Sequence, residues 1–421
     1  MGRIFYGYKL IARNSHGPIL VYNILEASGI KSEYDVIVIG AGPAGSVAAR
    51  TAAREGLDVL LVEKRQEIGE PVRCAEGLFK DGLEDFIDYD PKWVCAHIKS
   101  ARIHAPDGNV LSLSEPDNVA GYVLDRKIFD RALARLAANA GSEIQVKTQA
   151  TGLIKHEGVI KGVKGLCRGR EFEARSMVVI GADGVESRVG RWAGLLEPLK
   201  PRDIESCVEF TVSGVDIDPV CLEFYFGNDI APGGYLWIFP KGEREANIGL
   251  GALGARLNGA HPIDYLKRFV DTRFPGCKVI QTIVGAVPVS DMVEHISTGG
   301  LMLAGDGARL VDPLLGAGIM NAMLSGRMAG KVAAEAIKKG DVSAQALRKY
   351  DEDVRKNMGK AIHRNYKVKE FVVKASDRQM NALLYTLRKM NVESIPVSSV
   401  YKTAITSGLP VMKMMRAIFK N

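Results

Sequence analysis

A glycine-rich turn near the start of the chain has the residue types and spacing of a dinucleotide-binding site. The run Gly40-Ala41-Gly42-Pro43-Ala44-Gly45 follows the apolar, β-branched stretch 35–39 and precedes the Ala-rich stretch 46–55. The first glycine permits a tight turn, the second lets the backbone approach a pyrophosphate, and the third lets helix and strand pack closely. The start of the helix adds unpaired N–H groups and a positive dipole end for the phosphates.

An acidic residue closes the next predicted strand. The apolar run 57–62 ends at Glu63, about 20 residues after the glycine turn, where a carboxylate accepts from both ribose hydroxyls. An acid at this position argues against a 2′-phosphate on the nucleotide. The order and spacing of a βαβ unit are thus present: a strand, the glycine turn, a helix, a second strand and the acid. The sequence therefore predicts an α/β fold with a doubly wound parallel sheet.

Two later segments also place Asp and Gly directly after predicted strands. The strand 178–181 runs into Ala182-Asp183-Gly184, and the strand 301–304 runs into Gly305-Asp306-Gly307. A further turn, Gly316-Ala317-Gly318-Ile319, precedes a long helix that is rich in small residues. Such turns bring backbone close to a ligand at the carboxyl ends of the strands.

The GxGxxG turn at 40–45, the Asp-Gly turn at 183–184 and the Gly-Asp turn at 305–306, in this order, resemble the motifs of the FAD-containing oxidoreductases of the para-hydroxybenzoate hydroxylase type. The resemblance implies that the cofactor is FAD and that Asp183 and Asp306 bind it, with Asp306 on the ribityl chain. It places Arg126 near the FAD phosphates and Ala150 beside the adenine. It also implies that the turn of Gly316, Gly318 and Ile319 faces the N1–O2 edge of the isoalloxazine and stabilises the anionic reduced flavin.

Two further segments are similar to the geranylgeranyl reductase family, and within it to the archaeal digeranylgeranylglycerophospholipid reductases. The first is GEPVRCAEG over 69–77, and the second is YLWIFPKG over 235–242, continued by NIG at 247–249. The similarity covers residues 34 to about 400, and the first 33 residues have no counterpart in it. It implies reduction of the isoprenoid C=C bonds of geranylgeranyl chains in archaeal ether phospholipids, a step of membrane lipid biosynthesis.

The first of these segments implies contacts with the flavin from Cys74, Ala75 and Gly77. For Cys74 two roles are open. A buried free cysteine is usually inert packing, which favours simple contact with the ring, whereas proton donation is the sharper hypothesis.

The second segment carries an aromatic face. Tyr235, Trp237 and Phe239 alternate, so they share one side of a strand. Three aromatic residues on one face are more often core than binding site. The adjoining Gly233-Gly234 and Pro240 indicate close backbone approach, which favours the wall of a long apolar tunnel for substrate.

Composition excludes several other classes. The 421 residues are 47% hydrophobic and 25% charged, which is typical of a globular protein. No window of 18 apolar residues predicts a transmembrane helix. The six cysteines contain no CxxC pair and the seven histidines show no metal-like spacing, so we predict no metal site and a reducing cytosol. GxSxG, Walker A and HExxH motifs are absent, which leaves hydrolase and kinase functions without support.

Charge and pattern together suggest how the chain is divided. We predict an extension over 1–33, a discontinuous FAD-binding domain over 34–80, 115–195 and 285–340, a substrate-binding domain over 81–114 and 196–284, and a helical segment over 341–421. Residues 353–421 hold 14 Lys and Arg against 4 Asp and Glu, a surplus of +10 that leaves −3 elsewhere. Such a tail is either a solvated helical face or a contact with an anionic partner. We predict a cytoplasmic protein, peripheral on the inner membrane face, with no nucleic-acid partner.

The sequence thus predicts an FAD-dependent enzyme acting on CH–CH groups. Its external electron donor stays open between ferredoxin, NAD(P)H and another reduced carrier, since no second nicotinamide-binding unit is recognisable. Two other functions are compatible with parts of the pattern. A flavin monooxygenase using NAD(P)H and O2 would share the fold and motifs, and a non-catalytic prenyl-lipid carrier would share the fold without needing the cofactor.

Overall fold

The computed structural model describes residues 29–115 and 118–389, together with the short pieces 13–14, 17–18, 396 and 398–399. Within these residues the chain builds two large sheets with the functional cavities between them. The two earliest pieces pair as a short antiparallel ladder, Arg13–Asn14 with Gly17–Pro18.

The first large sheet is parallel at its centre. Its central strands are ordered Glu143–Gln145, Val59–Val62, Glu33–Ile39, Arg170–Gly181 and Leu301–Leu303. Thr148–His156 and Val159–Cys167 form an antiparallel meander with the long fourth strand. The short strand Ser297–Thr298 pairs with the fifth strand. The strands Val59–Val62 and Leu301–Leu303, most of Glu33–Ile39 and residues 178–181 are buried because helices and loops cover both faces, as an apolar βαβ pattern requires.

Two helices pack against each other beside this sheet, Pro43–Arg54 and Ile319–Lys338. Glycines in the second helix allow the close approach. A methyl group at Gly326 would lie 2.1 Å from the Ala44 carbonyl oxygen, so any side chain there would force the helices apart. The contact brings the N-terminus of each helix to the carboxyl end of the sheet, where ligands of doubly wound folds bind.

The second large sheet has seven strands. In spatial order they are Lys278–Pro288, Ile204–Ser213, Glu245–Leu253, Tyr235–Pro240, Cys221–Tyr225, Ser100–His104 and Val110–Ser114. The helix Pro262–Arg273 covers one face through Leu266 and Val270. The opposite face borders the larger of the two cavities described below.

A small sheet and further helices complete the described chain. The sheet has three strands, Gly77–Phe79, Gly121–Leu124 and Val94–Ile98. The remaining helices are Arg126–Asn139, Arg188–Ala193, Ala344–Val354, Lys360–Val372 and Asp377–Lys389, with a π-helical turn at Arg355–Gly359. Short 3₁₀ turns lie at Leu83–Asp85, Pro91–Trp93, Gly184–Glu186, Pro201–Asp203, Gly254–Arg256 and Gly305–Ala308.

The α/β fold and the βαβ unit predicted from the sequence are confirmed. The first helix begins at Pro43 rather than at residue 46, because a proline fits the first helical position, where its missing N–H costs no hydrogen bond. The second strand begins at Val59, after a turn in which Gly56 has a φ of +87°. In the described part of the chain, no helix is both long enough and apolar enough to cross a membrane. The predicted extension over 1–33 lies outside the described residues except for 13–14, 17–18 and 29–33, and the basic end over 400–421 lies outside them as well.

Candidate functional site

Two adjoining cavities lie between the sheets, one of about 670 Å³ and one of about 280 Å³. The same residues line both of them, Gly42, Arg73, Arg126, Ala182, Gly184, Ala286 and Asp306. Together the two cavities extend from the parallel sheet to the seven-stranded sheet.

The glycine turn forms the wall where the cavities meet. Gly40 has a φ of +101°, and a methyl group there would lie 2.3 Å from the Ala182 carbonyl oxygen. Gly45 does not line either cavity but packs behind the turn, where a methyl group would lie 1.8 Å from the Gly40 carbonyl oxygen. Gly42 caps the helix without a side-chain hydrogen bond, and a methyl group there would meet nothing within 4 Å. The three glycines thus divide the roles of tight turn, close packing and an open face toward the cavity.

Glu63 lies in the smaller cavity and is held by backbone. One carboxylate oxygen accepts from the Ala41 N–H at 3.0 Å and the other from the Arg65 N–H at 2.9 Å. Both oxygens keep a second lone pair for a ligand. Ala150 lines the same cavity from a neighbouring strand.

Asp183 and Asp306 follow adjacent strands; Asp183 lines the smaller cavity and Asp306 lines both. Oδ2 of Asp183 accepts from the Val189 N–H at 3.0 Å, whereas its Oδ1 is buried with no protein partner. Burial raises the pKa of both carboxyl groups, and Arg126 acts against this on Asp306. A buried acceptor without a hydrogen bond is costly, so Oδ1 of Asp183 is suited to accept from a ligand.

Arg126 lies at the first position of its helix and faces both cavities. Its guanidinium makes a two-pronged ion pair with the buried Asp130, at 2.8 and 2.9 Å. Burial is the largest single influence and opposes the charge, but Asp130, Cys74 and Glu76 together outweigh it, and the pKa of Arg126 is raised. The arginine is therefore a fixed positive charge beside the turn of Gly42.

The turn before the long helix lies at the floor of the larger cavity. Gly316 has a φ of +66°, and Gly318 caps the helix without a side-chain hydrogen bond, so the first N–H groups have no side-chain partner. Asp312 holds the turn by accepting from the Leu314 and Leu315 N–H groups, both at 3.0 Å. Ile319 also lines the cavity.

The aromatic side chains of the Tyr235–Pro240 strand line the larger cavity. Tyr235, Trp237 and Phe239 face it, and Phe224 on the next strand contacts Tyr235 and Phe239 edge-on at ring distances of 5.7 and 5.6 Å. Pro240 does not line the cavity, because alternation along the strand turns it to the face covered by the Pro262–Arg273 helix.

Cys74, Ala75, Gly77 and Ala44 also line the larger cavity. The Cys74 sulfur accepts from the Glu76 N–H at 3.2 Å, and burial raises the pKa of the thiol. A methyl group at Gly77 would lie 2.8 Å from the Phe239 ring, so this glycine makes room for the aromatic wall.

The sequence matches known families along almost its whole length. Residues 35–195 match the family of FAD dependent oxidoreductases, and residues 203–287 match the geranylgeranyl reductase catalytic domain. A digeranylgeranylglycerophospholipid reductase of Methanocella arvoryzae is 55% identical over 91% of this chain and 98% of its own. One of Methanosarcina acetivorans is 48% identical over 93% and 98%.

The chain belongs to the digeranylgeranylglycerophospholipid reductase family. A crystal structure described as a geranylgeranyl bacteriochlorophyll reductase-like protein, from Thermoplasma acidophilum, has a TM-score of 0.85 and 39% identity, and the match covers 92% of this chain and 99% of that one. The flavin-dependent brominase Bmp2 has a TM-score of 0.66 at 20% identity, over 89% and 98% of the two chains, which shows a shared fold alone.

The residues around the junction of the cavities fit the FAD of this reductase family. Gly42 leaves open space where a phosphate can approach the helix N-terminus, and Arg126 supplies a positive charge beside it. The free oxygen of Asp183 and the carboxylate of Glu63 suit hydroxyl groups of the ligand. The protein is an FAD-dependent oxidoreductase.

No side-chain cluster of the described residues provides three His, Cys, Asp or Glu groups placed to hold a metal ion. In this reductase the polar residues near the larger cavity instead form a buried network. The Lys241 ammonium pairs with Glu76 at 2.5 Å, and the Asn247 amide donates to the same carboxylate at 2.8 Å. This network joins the two family segments around residues 69–77 and 235–249.

Sequence reasoning missed Glu76 as the centre of that network and missed two buried glutamates and a half-buried cysteine that line the larger cavity. These are Glu205, Cys207 and Glu209 on the Ile204–Ser213 strand. Alternation in that strand predicts a polar face, which in most antiparallel sheets points to solvent. The signal that could have found them is the pair of glycines at 249 and 251 in the partner strand, which leaves space on the same face.

Proposed function

We propose that this protein reduces isoprenoid C=C bonds in the geranylgeranyl chains of archaeal ether phospholipids. The observation that carries the proposal is the shape of the larger cavity, which continues from the turn of Gly316 and Gly318 along the aromatic face of the seven-stranded sheet. Beyond the aromatic residues the wall stays apolar, formed by Ile98, Ala101, Ile103, Leu113 and Leu222. An elongated apolar space beside a flavin site suits a long hydrocarbon chain.

For the cofactor we propose an extended arrangement across both cavities. The adenosine end lies in the smaller cavity against Glu63 and Ala150, and the pyrophosphate lies at Gly42 and Arg126. In the larger cavity the start of the Ile319–Lys338 helix, whose first N–H groups have no side-chain partner, would hold the N1–O2 edge of the isoalloxazine and stabilise negative charge there. When bound and reduced, FAD supplies a hydride from N5.

The remaining chemistry of the site falls to the protein. An isolated trisubstituted alkene carries no carbonyl to activate it, so a proton and a hydride must reach it nearly together, away from water. The aromatic wall of Tyr235, Trp237 and Phe239 excludes water. For Cys74, contact with the flavin ring is the role we favour, and its protonated thiol keeps acid catalysis as the alternative.

The partners follow from the same chemistry. Substrate is a geranylgeranylated glycerophospholipid, and the flavin is reduced by an external donor, which is ferredoxin, NAD(P)H or another reduced carrier. The basic segment after Asp353 rests on an anionic membrane surface, which lets lipid chains enter. Deletion of residues 411–421 should weaken binding to anionic liposomes; unchanged binding would rule out this membrane role.

The decisive experiment is mass spectrometry of a digeranylgeranylglycerophospholipid after anaerobic incubation with the dithionite-reduced protein. Mass increases of two hydrogens per step are expected, and neither a Gly42→Val variant lacking FAD nor the protein without dithionite should produce them. An unchanged lipid in the presence of a reducible flavin would favour a monooxygenase, which would instead couple NAD(P)H oxidation to O2 uptake. A colourless protein that binds the lipid would favour a carrier.

A further inference from the structure

Three side chains, two of them buried glutamates, project from one strand toward the larger cavity. Glu205, Cys207 and Glu209 alternate along Ile204–Ser213 and line that cavity, and Glu209 is only 3% exposed. Two buried carboxyl groups on an apolar wall are unusual, because burial of an ionised carboxylate is costly unless it is paired.

The register of the sheet explains how these groups reach the cavity. Glu209 lies opposite Gly249, and Gly249 lies opposite Trp237 on the next strand. The indole crosses the glycine, since a methyl group at 249 would lie 2.5 Å from the ring. On its other side Glu209 lies opposite Ile283, which lines the same cavity. The glycine thus lets an aromatic side chain and an acid two strands apart meet.

The contact with Trp237 orients the carboxyl group. The indole N–H donates to Oε2 of Glu209 at 2.8 Å, while Oε1 is buried and has no hydrogen-bond partner. Among the described residues no cation lies within ion-pair distance of Glu209, and the nearby Lys241 is paired with Glu76. A neutral acid is therefore favoured, with Oε2 accepting from the indole as a carbonyl oxygen does.

The electrostatic surroundings agree with this protonation. Burial raises the pKa of Glu209 to about 8, Trp237 and Lys241 act against burial, and Glu76 adds to it. The other titratable groups near Glu209 are Cys74 from the 69–77 segment and Cys207 on its own strand.

We infer that Glu209, held by Trp237, is the catalytic proton donor to the alkene. The inference rests on the proposed function. One alkene carbon receives the hydride of the reduced cofactor, and the other receives the proton as the O–H bond of Glu209 breaks. The π bond is lost, two C–H bonds form, the cofactor ends oxidised and Glu209 ends as a carboxylate that takes up a proton from solvent after the product has left.

Glu205 provides the matched control. It lies four residues earlier on the same face, borders the same cavity and is also buried. No indole N–H orients it. Burial raises the pKa of Glu205 to about 7, and the charge of Lys369 acts against burial. Replacing each glutamate by glutamine preserves size and removes one transferable proton.

The test compares Glu209→Gln, Glu205→Gln and Cys74→Ala as FAD-loaded proteins. Each is reduced anaerobically and mixed with the geranylgeranylated lipid, and reoxidation of the flavin is followed by its absorbance. We expect Glu209→Gln to keep FAD and lipid binding but to lose roughly 100-fold or more in reoxidation rate. The wild-type rate should fall as pH rises through about 8, and this fall should be absent in Glu209→Gln.

A second readout needs no turnover. The infrared spectrum of the oxidised protein in D2O should contain a carbonyl band of a protonated carboxyl group that is missing in Glu209→Gln, shifted in Trp237→Phe and retained in Glu205→Gln. Absence of such a band from the wild type would overturn the inference.

The outcomes separate this inference from the proposed function. A wild type that binds the lipid but reduces none of it contradicts the function itself. A wild type that reduces lipid, with Glu209→Gln equally fast, contradicts the role of Glu209. Loss of rate in Glu205→Gln or Cys74→Ala alone would overturn it as well, by moving the proton donor to that residue.

Discussion

The Tyr235 hydroxyl donates to the Leu315 carbonyl oxygen at 2.5 Å, which ties the aromatic strand to the turn at the start of the long helix. Gly316 follows directly, and a methyl group at that glycine would lie 3.5 Å from the same hydroxyl. The wall proposed for substrate and the turn proposed for the flavin are thereby held in one fixed arrangement.

Removing that hydroxyl should loosen the turn. We expect Tyr235→Phe to retain FAD, to lose about 1 kcal/mol of folding free energy, and to shift the flavin midpoint potential to a more negative value. The shift follows because less well-oriented N–H groups stabilise the anionic reduced flavin less. Dye-equilibration potentiometry measures it. Tyr225→Phe, which removes a hydroxyl bonded to Glu223 away from the cavity, is the control and should leave the potential unchanged.

The glycines at 42 and 45 should respond differently to alanine. Gly42→Ala adds a methyl group into open space, so it should cost less than about 1 kcal/mol of stability while weakening FAD binding roughly tenfold or more. Gly45→Ala places a methyl group against the Gly40 carbonyl oxygen, so the apoprotein itself should lose about 1–3 kcal/mol. Urea unfolding and FAD titration distinguish the two effects. Equal loss of apoprotein stability in both variants would contradict the assignment.

Arg126 should have separable structural and cofactor roles. Arg126→Met leaves the buried Asp130 without its ion-pair partner, which should cost about 3–5 kcal/mol. Adding Asp130→Leu should restore much of that stability, because an apolar pair replaces a broken ion pair. FAD affinity should stay low in the double variant. A double variant that regains both stability and FAD affinity would show that Arg126 only supports the helix.

The two buried acids of the Ile204–Ser213 strand should make stability depend on pH. Their pKa values in the folded protein, about 7 for Glu205 and about 8 for Glu209, exceed the ordinary value of 4.5. Below 4.5 both states are protonated and the effect is absent. As pH rises, the unfolded chain ionises first, so stability should fall by about 1.4 kcal/mol per pH unit for each group until its folded pKa is reached.

The combined variant Glu205→Gln with Glu209→Gln removes both titrating groups, so its unfolding free energy should show less of this decline. Urea unfolding between pH 5 and 8, on the apoproteins, measures the difference. Parallel curves for wild type and variant would mean that the two acids are already ionised in the folded protein.

Much of the parallel-sheet half of the fold could be predicted from local sequence, because the βαβ unit is defined by neighbouring residues. The strand at 35–39, the turn of Gly40 and the helix after it follow from periodicity and from the backbone freedom of glycine. The helix over Arg126–Asn139 was predictable as well, since Asp125 caps it by accepting from the Ile128 N–H at 3.1 Å.

The acids of the seven-stranded sheet could not be predicted in the same way. Alternation in the Ile204–Ser213 strand shows that Glu205 and Glu209 share a face, but it does not show what covers that face. The cover comes from residues distant in sequence, such as Gly316 and Met358 across the cavity. Likewise Glu76 takes a left-handed conformation, with a φ of +71°, to meet Lys241, which is 165 residues away.

The parallel sheet takes its strands from separate parts of the chain, and the strands of the seven-stranded sheet lie between them in sequence. The Leu301–Leu303 strand can join Arg170–Gly181 only after the polypeptide has passed through the other sheet and returned. During synthesis, a ribosome must therefore release nearly three quarters of the chain before this strand and the turn after it exist. The nascent protein can complete its flavin pocket only late in translation.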